Sequence, residues 1–226
     1  VPNCTVGAAL SCAYTSPKNQ QKRHIDAAYR MNIILNRLCI EPHLGMGYPT
    51  KRFSYLQKIH RYVKANDLED ICFDFDFIGL QNYSQYVAKH ALLPFIWAFE
   101  NSPKQRGIAP EMITDMGWEI YPEGIYKILK QYAAYPSMPP LMITENGCAV
   151  PDTVQKGKVH DKRRIQFFQT YLEQVLRAKK EGVDVRGYFA WTLLDNFEWA
   201  EGFDPRFGLV HVDFETQKRT IKDSGL

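Results

Sequence analysis

The sequence predicts an α/β fold in which helices cover both faces of a parallel sheet. Strand and helix patterns alternate along all 226 residues. The predicted strands are apolar throughout, without alternation, and this is typical of parallel strands that are buried on both faces. With 45% hydrophobic and 23% charged residues, the chain has enough apolar side chains to form a single domain over residues 1–226.

The first two strand–helix units extend from Thr5 to Tyr132. Thr5–Leu10 is a short apolar run that predicts a buried strand, and Asp26–Cys39 follows with helical periodicity. Phe73–Leu80 predicts the second strand. Pro122 opens the next helix, because the first turn of a helix does not use the N–H that proline lacks. The apolar residues expected on these two helices are Ala27, Met31, Ile34, Leu35, Leu38, Ile125, Ile128, Leu129 and Tyr132.

Two further units follow. Leu141–Thr144 predicts the third strand and Val185–Trp191 the fourth, with a helix between them that ends at Gly182. The basic stretch Lys156–Arg164 is interpreted as the solvated start of that helix. Its expected apolar face consists of Ile165, Phe168, Leu172, Val175 and Leu176.

Four parallel units are compatible with two architectures. One is a doubly wound open sheet, and the other is part of a (β/α)8 barrel, which needs eight units to close. Periodicity alone does not choose between them.

Composition excludes several classes of function. A net charge of +3, with scattered basic residues, does not favour nucleic acid or an anionic membrane as a partner. No apolar run approaches the roughly 20 residues that span a bilayer. Five irregularly spaced cysteines without a CxxC pair, and dispersed histidines, indicate no metal site and no cofactor, and free thiols suggest a cytoplasmic location.

Glu145 is the first candidate for chemistry. It follows an apolar strand in the segment Ile143–Gly147 (ITENG), where the loops of a parallel sheet meet solvent and catalytic residues collect. A carboxylate at this position could be a base, a metal ligand or a nucleophile. It could equally be a turn or helix-capping residue.

An aromatic and acidic cluster follows the fourth strand. It begins at Trp191, continues through Leu193–Phe203 (LLDNFEWAEGF) and reaches Arg206–Gly208. Indole faces stack on pyranose rings and carboxylates accept hydrogen bonds from sugar hydroxyls, so the cluster suits a sugar ligand. Aromatic residues are also commonly core residues, and we expect Phe197 to be buried.

Four motifs resemble those of glycoside hydrolase family 1 and occur in the same order as in that family. They are Asp76–Tyr83 (DFIGLQNY), Asp115–Gly124 (DMGWEIYPEG), Ile143–Gly147 (ITENG) and Gly187–Trp199 (GYFAWTLLDNFEW). The family resemblance implies a TIM (β/α)8 barrel and retaining hydrolysis of β-glucosides and related β-glycosides. This chain would be the C-terminal half of that barrel, with strands five to eight.

The same resemblance implies roles for individual residues. Glu145 would be the nucleophile, and Tyr83 would donate its phenol to that carboxylate. Substrate would be bound by Trp191 under the −1 sugar, by Glu198 and Trp199 at its distal hydroxyls, by Trp118 and Phe207 on the aglycone side, and by Gln81.

Two details refine the substrate prediction. The family usually has Asn where this chain has Gln81, whose longer amide can still reach a sugar hydroxyl. Family members that act on 6-phosphorylated glycosides lack the Glu198–Trp199 pair. Because Glu198 would repel a phosphate, an unphosphorylated sugar is favoured.

The second carboxyl group of a retaining pair is missing from the sequence. The family places this acid/base in a Thr/Asn-Glu-Pro motif after strand four, and the sole Glu-Pro here, Glu41–Pro42, is expected at the end of a helix. The absence has three explanations: an incomplete chain, a clipped parent, or a complementary N-terminal half supplied in trans. We expect these 226 residues alone to be unstable as a monomer, because unpaired sheet edges would be exposed. We also expect them to be inactive, because the acid/base is missing.

Three hypotheses for function follow. The leading one is a retaining β-glucosidase that needs the N-terminal half. The rivals are a non-catalytic β-glycoside-binding fragment and a transglycosidase that uses the same residues.

Overall fold

The computed structural model describes residues 4–92 and 96–226. Its helices in chain order are α1 (Lys22–Asn32), α2 (Leu38–His43), α3 (Asp67–Asp70), α4 (Glu123–Ala133) and α5 (Lys162–Lys180). Its strands are β1 (Gly7–Ser11), β2 (Tyr14–Pro17), β3 (Phe77–Gln81), β4 (Gln85–Lys89), β5 (Phe99–Glu100), β6 (Leu141–Asn146), β7 (Val154–Gln155), β8 (Lys158–Val159), β9 (Val185–Ala190), β10 (Val210–Val212) and β11 (Arg219–Ile221).

The main sheet contains the four predicted strands in the order β1-β3-β6-β9, and every neighbouring pair is parallel. Spatial order therefore follows chain order, with a helical segment in each connection. A doubly wound sheet would reverse its order at a switch point, and this sheet does not. The architecture is consistent with part of an α/β barrel.

The core lies between this sheet and the helices α4 and α5. Ile78, Leu80, Leu141 and Ile143 from the strands are all nearly inaccessible to solvent. On α4 the expected face is confirmed, since Ile125, Ile128, Leu129 and Tyr132 are all fully buried. Each such side chain contributes about 1.5–3 kcal/mol when it is removed from water.

The first helix differs from the uniform stripe that was predicted. A π-helical turn at Ile33–Arg37 separates α1 from α2, and it adds a residue per turn. This shift brings Ile33 and Asn36 into the interior and leaves Ile34 at the surface. The Asn36 amide then pairs with both backbone groups of Ala13, which lies between β1 and β2.

The predicted apolar face of α5 was partly wrong. Val175 is buried as expected, but Leu172 and Leu176 are exposed. The remaining buried positions are Arg164, Phe167, Tyr171 and Ala178, which form the adjacent stripe against the sheet.

Of three predictions about single residues or short segments, one is confirmed, one is partly wrong and one is wrong. Lys156–Arg164 was only partly a solvated helix start, because Arg164 is completely buried in ion pairs. Phe197 is 57% exposed and not buried, since it packs edge-on against Phe203 in a surface cluster. Glu41 lies within α2, as expected, where Arg37 pairs with it.

No helix in residues 4–92 and 96–226 has the length and apolar character required to cross a membrane.

Candidate active site

Glu145 and Gln81 face each other at the carboxyl edge of the sheet. Strand alternation would place Glu145 on the helix-covered face with Leu141 and Ile143. The β3–β6 register shifts after Leu80, so that Gln81 pairs with Glu145. Irregularities of this kind re-aim side chains next to functional sites.

Two donors hold the Glu145 carboxylate. The Tyr83 hydroxyl donates to Oε2 at 2.6 Å, and the Gln81 amide donates from Nε2 to Oε1 at 2.9 Å. Burial and then the neighbouring Glu145 carboxylate raise the pKa of Tyr83, so the phenol keeps its proton for this bond. A fixed carboxylate of this kind is suited to attack a carbon or accept a proton in a single orientation.

Residues behind this carboxylate fix the backbone that carries it. Asn146 is fully buried; its amide donates to the Asn82 carbonyl oxygen at 2.6 Å and accepts from the Tyr188 hydroxyl at 2.5 Å. The Tyr171 hydroxyl donates to the Tyr83 carbonyl oxygen at 3.3 Å. Sequence reasoning did not identify these supports, because each pairs residues from distant parts of the chain.

Three aromatic rings form one wall next to the carboxylate. The ring of Tyr83 lies 5.3 Å from Trp118 and 6.1 Å from Phe207, and Trp118 lies 6.3 Å from Phe207. The structure therefore brings together three residues that the sequence assigned to the site. A cavity of ≈ 230 Å³ adjoins this wall, and Gln81 and Glu100 also line it.

Trp191 reaches the same edge because Gly147 permits close approach. A Cβ atom on Gly147 would lie only 1.9 Å from the Trp191 carbonyl oxygen, so no other residue fits there. The backbone N–H of Trp191 also donates to the Asn146 carbonyl oxygen at 2.9 Å. The glycine of the ITENG motif thus joins the ends of β6 and β9.

Glu198 belongs to this group, whereas Trp199 is more exposed. Burial raises the pKa of Glu198, a hydrogen bond with Trp191 opposes the rise, and the negative charge of Glu145 adds to it. Trp199 is 81% exposed, and within the described ranges no hydrogen bond or ring contact connects it to Glu145.

A buried charge network supports the loop that carries these residues. It consists of Asp152, Asp161, Arg164, Asp195 and Lys222, whose side chains are all fully inaccessible to solvent. Lys222 contacts both Asp152 and Asp195, the latter at 2.9 Å. Asp195 also accepts the Gly208 N–H at 2.9 Å, directly after Phe207. The network was not predicted, since its members are separated by up to 70 residues.

No group of three or more His, Cys, Asp or Glu residues is arranged to hold a metal ion within the part of the chain that the structure describes.

Comparisons with known proteins agree on one family. The model of "Glycosyl hydrolase family 1" matches residues 1–226. A 1,4-beta-D-glucan glucohydrolase from Thermotoga neapolitana is 40% identical over 224 residues, which are 97% of this chain and 49% of that protein. A bifunctional beta-D-glucosidase/beta-D-fucosidase from Bifidobacterium breve is 42% identical over 214 residues, 88% of this chain and 46% of that one.

Solved structures show the same relationship. A Thermotoga maritima family 1 glycoside hydrolase, complexed with a cyclophellitol analogue transition state mimic, superposes with a TM-score of 0.89 at 37% identity. The alignment covers 100% of this chain and 50% of that structure. The chain spans about half the length of the relatives it matches.

Proposed function

Because this chain belongs to glycosyl hydrolase family 1, we propose that it forms the nucleophile-bearing half of a retaining β-glucosidase. The observation that carries the proposal is the Glu145 carboxylate, held through both oxygens by Tyr83 and Gln81 at the carboxyl edge of a parallel sheet. The relatives named as β-glucosidases support the substrate class.

The proposed reaction has two steps. A Glu145 oxygen attacks the anomeric carbon, the glycosidic C–O bond breaks, and a second carboxyl group protonates the leaving oxygen. Water then attacks the same carbon and gives its proton to that second group, while the electron pair returns to Glu145. The second carboxyl group would lie about 5 Å from Glu145, as retention requires.

We propose that the remaining residues select the sugar. Trp191 would lie under the −1 ring, Glu198 and Trp199 would bind its distal hydroxyls, and Trp118 and Phe207 would contact the aglycone. This assignment is supported by the aromatic wall beside Glu145 and by the burial of Glu198, which raises the pKa of that carboxyl, with the charge of Glu145 as a smaller contribution in the same direction. Glu198 would disfavour a phosphorylated sugar through charge repulsion.

We further propose that the chain supplies barrel strands five to eight and that an N-terminal half completes the barrel. Within the described residues, β1 and β9 each have one neighbour in the main sheet. Phe189, within β9, is 57% exposed, and Leu193, just after this strand, is 67% exposed. Burying these residues against further strands would remove both edges and the apolar surface. The second carboxyl group would come from that half.

Two alternatives predict different behaviour. A non-catalytic glycoside-binding fragment would keep the aromatic wall without turnover, yet it would not need a carboxylate held at both oxygens. A transglycosidase would share every step except the final acceptor. Product analysis with cellobiose, with and without acceptor sugars, separates transfer from hydrolysis.

We also propose a cytoplasmic location for the enzyme, which its five free cysteines support.

Covalent labelling tests the proposal directly. We expect a 2-fluoro-2-deoxyglucoside with a good leaving group to add one sugar mass to the full-length protein, because such a reagent requires a nucleophile but little acid assistance. Intact-mass spectrometry detects the adduct, and peptide mapping places it on Glu145. A protein that hydrolyses β-glucosides but carries the label elsewhere, or takes none, would contradict the assignment.

Loss of the phenol is expected to slow the enzyme without abolishing it. Tyr83→Phe removes the 2.6 Å bond to Glu145 and should lower kcat by about one to two orders of magnitude, the usual scale for a charge-assisted hydrogen bond. Tyr126→Phe is the matched control, because that phenol binds the surface carboxylate of Glu181 at 2.7 Å. Equal kcat values for the two variants would rule out the proposed role of Tyr83.

A further inference from the structure

Gln81 contacts the nucleophile itself. Its amide nitrogen lies 2.9 Å from Glu145 Oε1, while Tyr83 occupies Oε2. The Gln81 backbone is fixed on both sides, because its carbonyl oxygen accepts from Cys12 N at 2.9 Å and the next residue, Asn82, donates to the Glu145 carbonyl oxygen at 3.0 Å. The amide is therefore directed at the carboxylate by the sheet and not by a flexible loop.

The length of the side chain makes this contact possible. An asparagine at position 81 would be shorter by one C–C bond, about 1.5 Å. From the same backbone, its amide nitrogen would lie roughly 4 Å from Glu145 Oε1, beyond hydrogen-bond distance. Glutamine thus adds a donor to the nucleophile that the shorter amide does not supply in this geometry.

We infer that Gln81 is a positioning residue that holds Glu145 Oε1 and accelerates the second step of the reaction, in which charge returns to the carboxylate. The inference rests on the proposed function. It differs from the sequence-based prediction that Gln81 binds a sugar hydroxyl, and the two make opposite predictions for KM.

The effect of the Gln81 donor on each step follows from how the charge on Glu145 changes in that step. In the first step the carboxylate loses negative charge as its bond to the anomeric carbon forms, so the donor from Gln81 stabilises the starting state more than the transition state. Positioning of the nucleophile offsets that effect. In the second step the glycosyl–oxygen bond breaks and the electron pair returns to Glu145. A preorganised donor then stabilises the developing charge, which lowers the barrier.

Gln81→Met tests the inference in the full-length enzyme. Methionine keeps the length and approximate volume but removes the donor. With an aryl β-glucoside that has a good leaving group, the second step limits kcat. We expect kcat to fall about tenfold or more, on the scale of a charge-assisted hydrogen bond, and KM to fall with it, so that kcat/KM changes less than threefold. Acid-quenched mass spectra should show more steady-state glycosyl-enzyme on Glu145.

Two further variants control for structural effects. Gln81→Asn retains an amide that is too short and should behave as Gln81→Met does. Gln155→Met makes the same replacement at an exposed position in β7 and should match the wild type. Titration with the 2-fluoro reagent counts competent sites, so misfolded protein is removed from the comparison.

The outcomes separate the possibilities. An equal fall in kcat and kcat/KM, or unchanged kinetics, overturns the inference. A rise in KM without added glycosyl-enzyme also overturns it, because that result assigns Gln81 to a sugar hydroxyl. If the wild-type full-length protein forms no glycosyl-enzyme at all, the proposed function itself fails, independently of Gln81.

Discussion

Glu145→Gly is expected to lower kcat of the full-length enzyme by roughly four orders of magnitude or more, the scale on which removal of a covalent nucleophile slows other hydrolases. Glycine removes the attacking carboxylate and leaves the Tyr83 and Gln81 donors facing an empty space. The proposed sugar contacts Trp191 and Glu198 are untouched. Initial rates with an aryl β-glucoside give the loss.

A small anion should restore turnover of this variant. Azide or formate can enter the space left by the side chain and attack the anomeric carbon from the face that Glu145 would use. The expected product with azide is the α-glucosyl azide, which NMR identifies by its inverted configuration. A protein that lost activity through misfolding would not recover, so rescue assigns the loss to the missing carboxylate.

Glu181→Gly is the matched control for this experiment. Glu181 also accepts a hydrogen bond from a tyrosine hydroxyl, that of Tyr126, but it is exposed at the end of α5. We expect kcat close to that of the wild type and no response to azide. If Glu145→Gly retained more than about a tenth of wild-type kcat, Glu145 would not be the nucleophile, since that loss corresponds to only about 1.4 kcal/mol of barrier.

The sequence predicted those parts of the site that depend on neighbouring residues in the chain. Glu145 could be located because an apolar strand precedes it and parallel strands present their carboxyl ends at one edge. The strand order favours part of a barrel over a doubly wound sheet, but that step required the observed pairing, because four apolar runs do not reveal which strands are neighbours.

The contacts that tune Glu145 could not be predicted in the same way. Gln81 reaches the carboxylate because the β3–β6 register shifts by one residue after Leu80. A shift of one position moves a side chain to the other face of a strand, and no periodicity in either strand signals it. The prediction that Phe197 is buried was wrong for a related reason. The hydrophobicity of a residue does not indicate whether its ring packs in the core or against another exposed ring.

The buried ion pairs were the contacts that the sequence predicted least, although they hold the C-terminal segment against the loop between β9 and β10. Lys222 is fully buried between Asp152 and Asp195, although lysine is rarely buried without a partner. Asp195 in turn binds the backbone next to Phe207, and Arg164 donates to the Arg206 carbonyl oxygen at 2.6 Å. The network thus connects the C-terminal segment to the loop between β9 and β10, which carries Glu198.

Lys222→Met is therefore expected to destabilise the full-length enzyme by about 3 kcal/mol, because two buried aspartates lose the cation they share and each keeps an arginine partner, Arg164 for Asp152 and Arg206 for Asp195. Urea unfolding, followed by tryptophan fluorescence, measures the loss. Lys218→Met is the control, since Lys218 is exposed and its replacement should change stability by no more than about 0.5 kcal/mol.

A double-mutant cycle then separates the ion pair from simple loss of packing. If the Lys222–Asp195 contact carries the effect, Asp195→Asn should cost less in the Lys222→Met background than in the wild type, because the ion pair with Lys222 is then already lost and Arg206, at 3.2 Å, is the remaining cationic partner of Asp195. Additive losses would mean that the two residues act independently. A loss for Lys222→Met no larger than that for Lys218→Met would show that the C-terminal segment does not support the loop between β9 and β10 through this network.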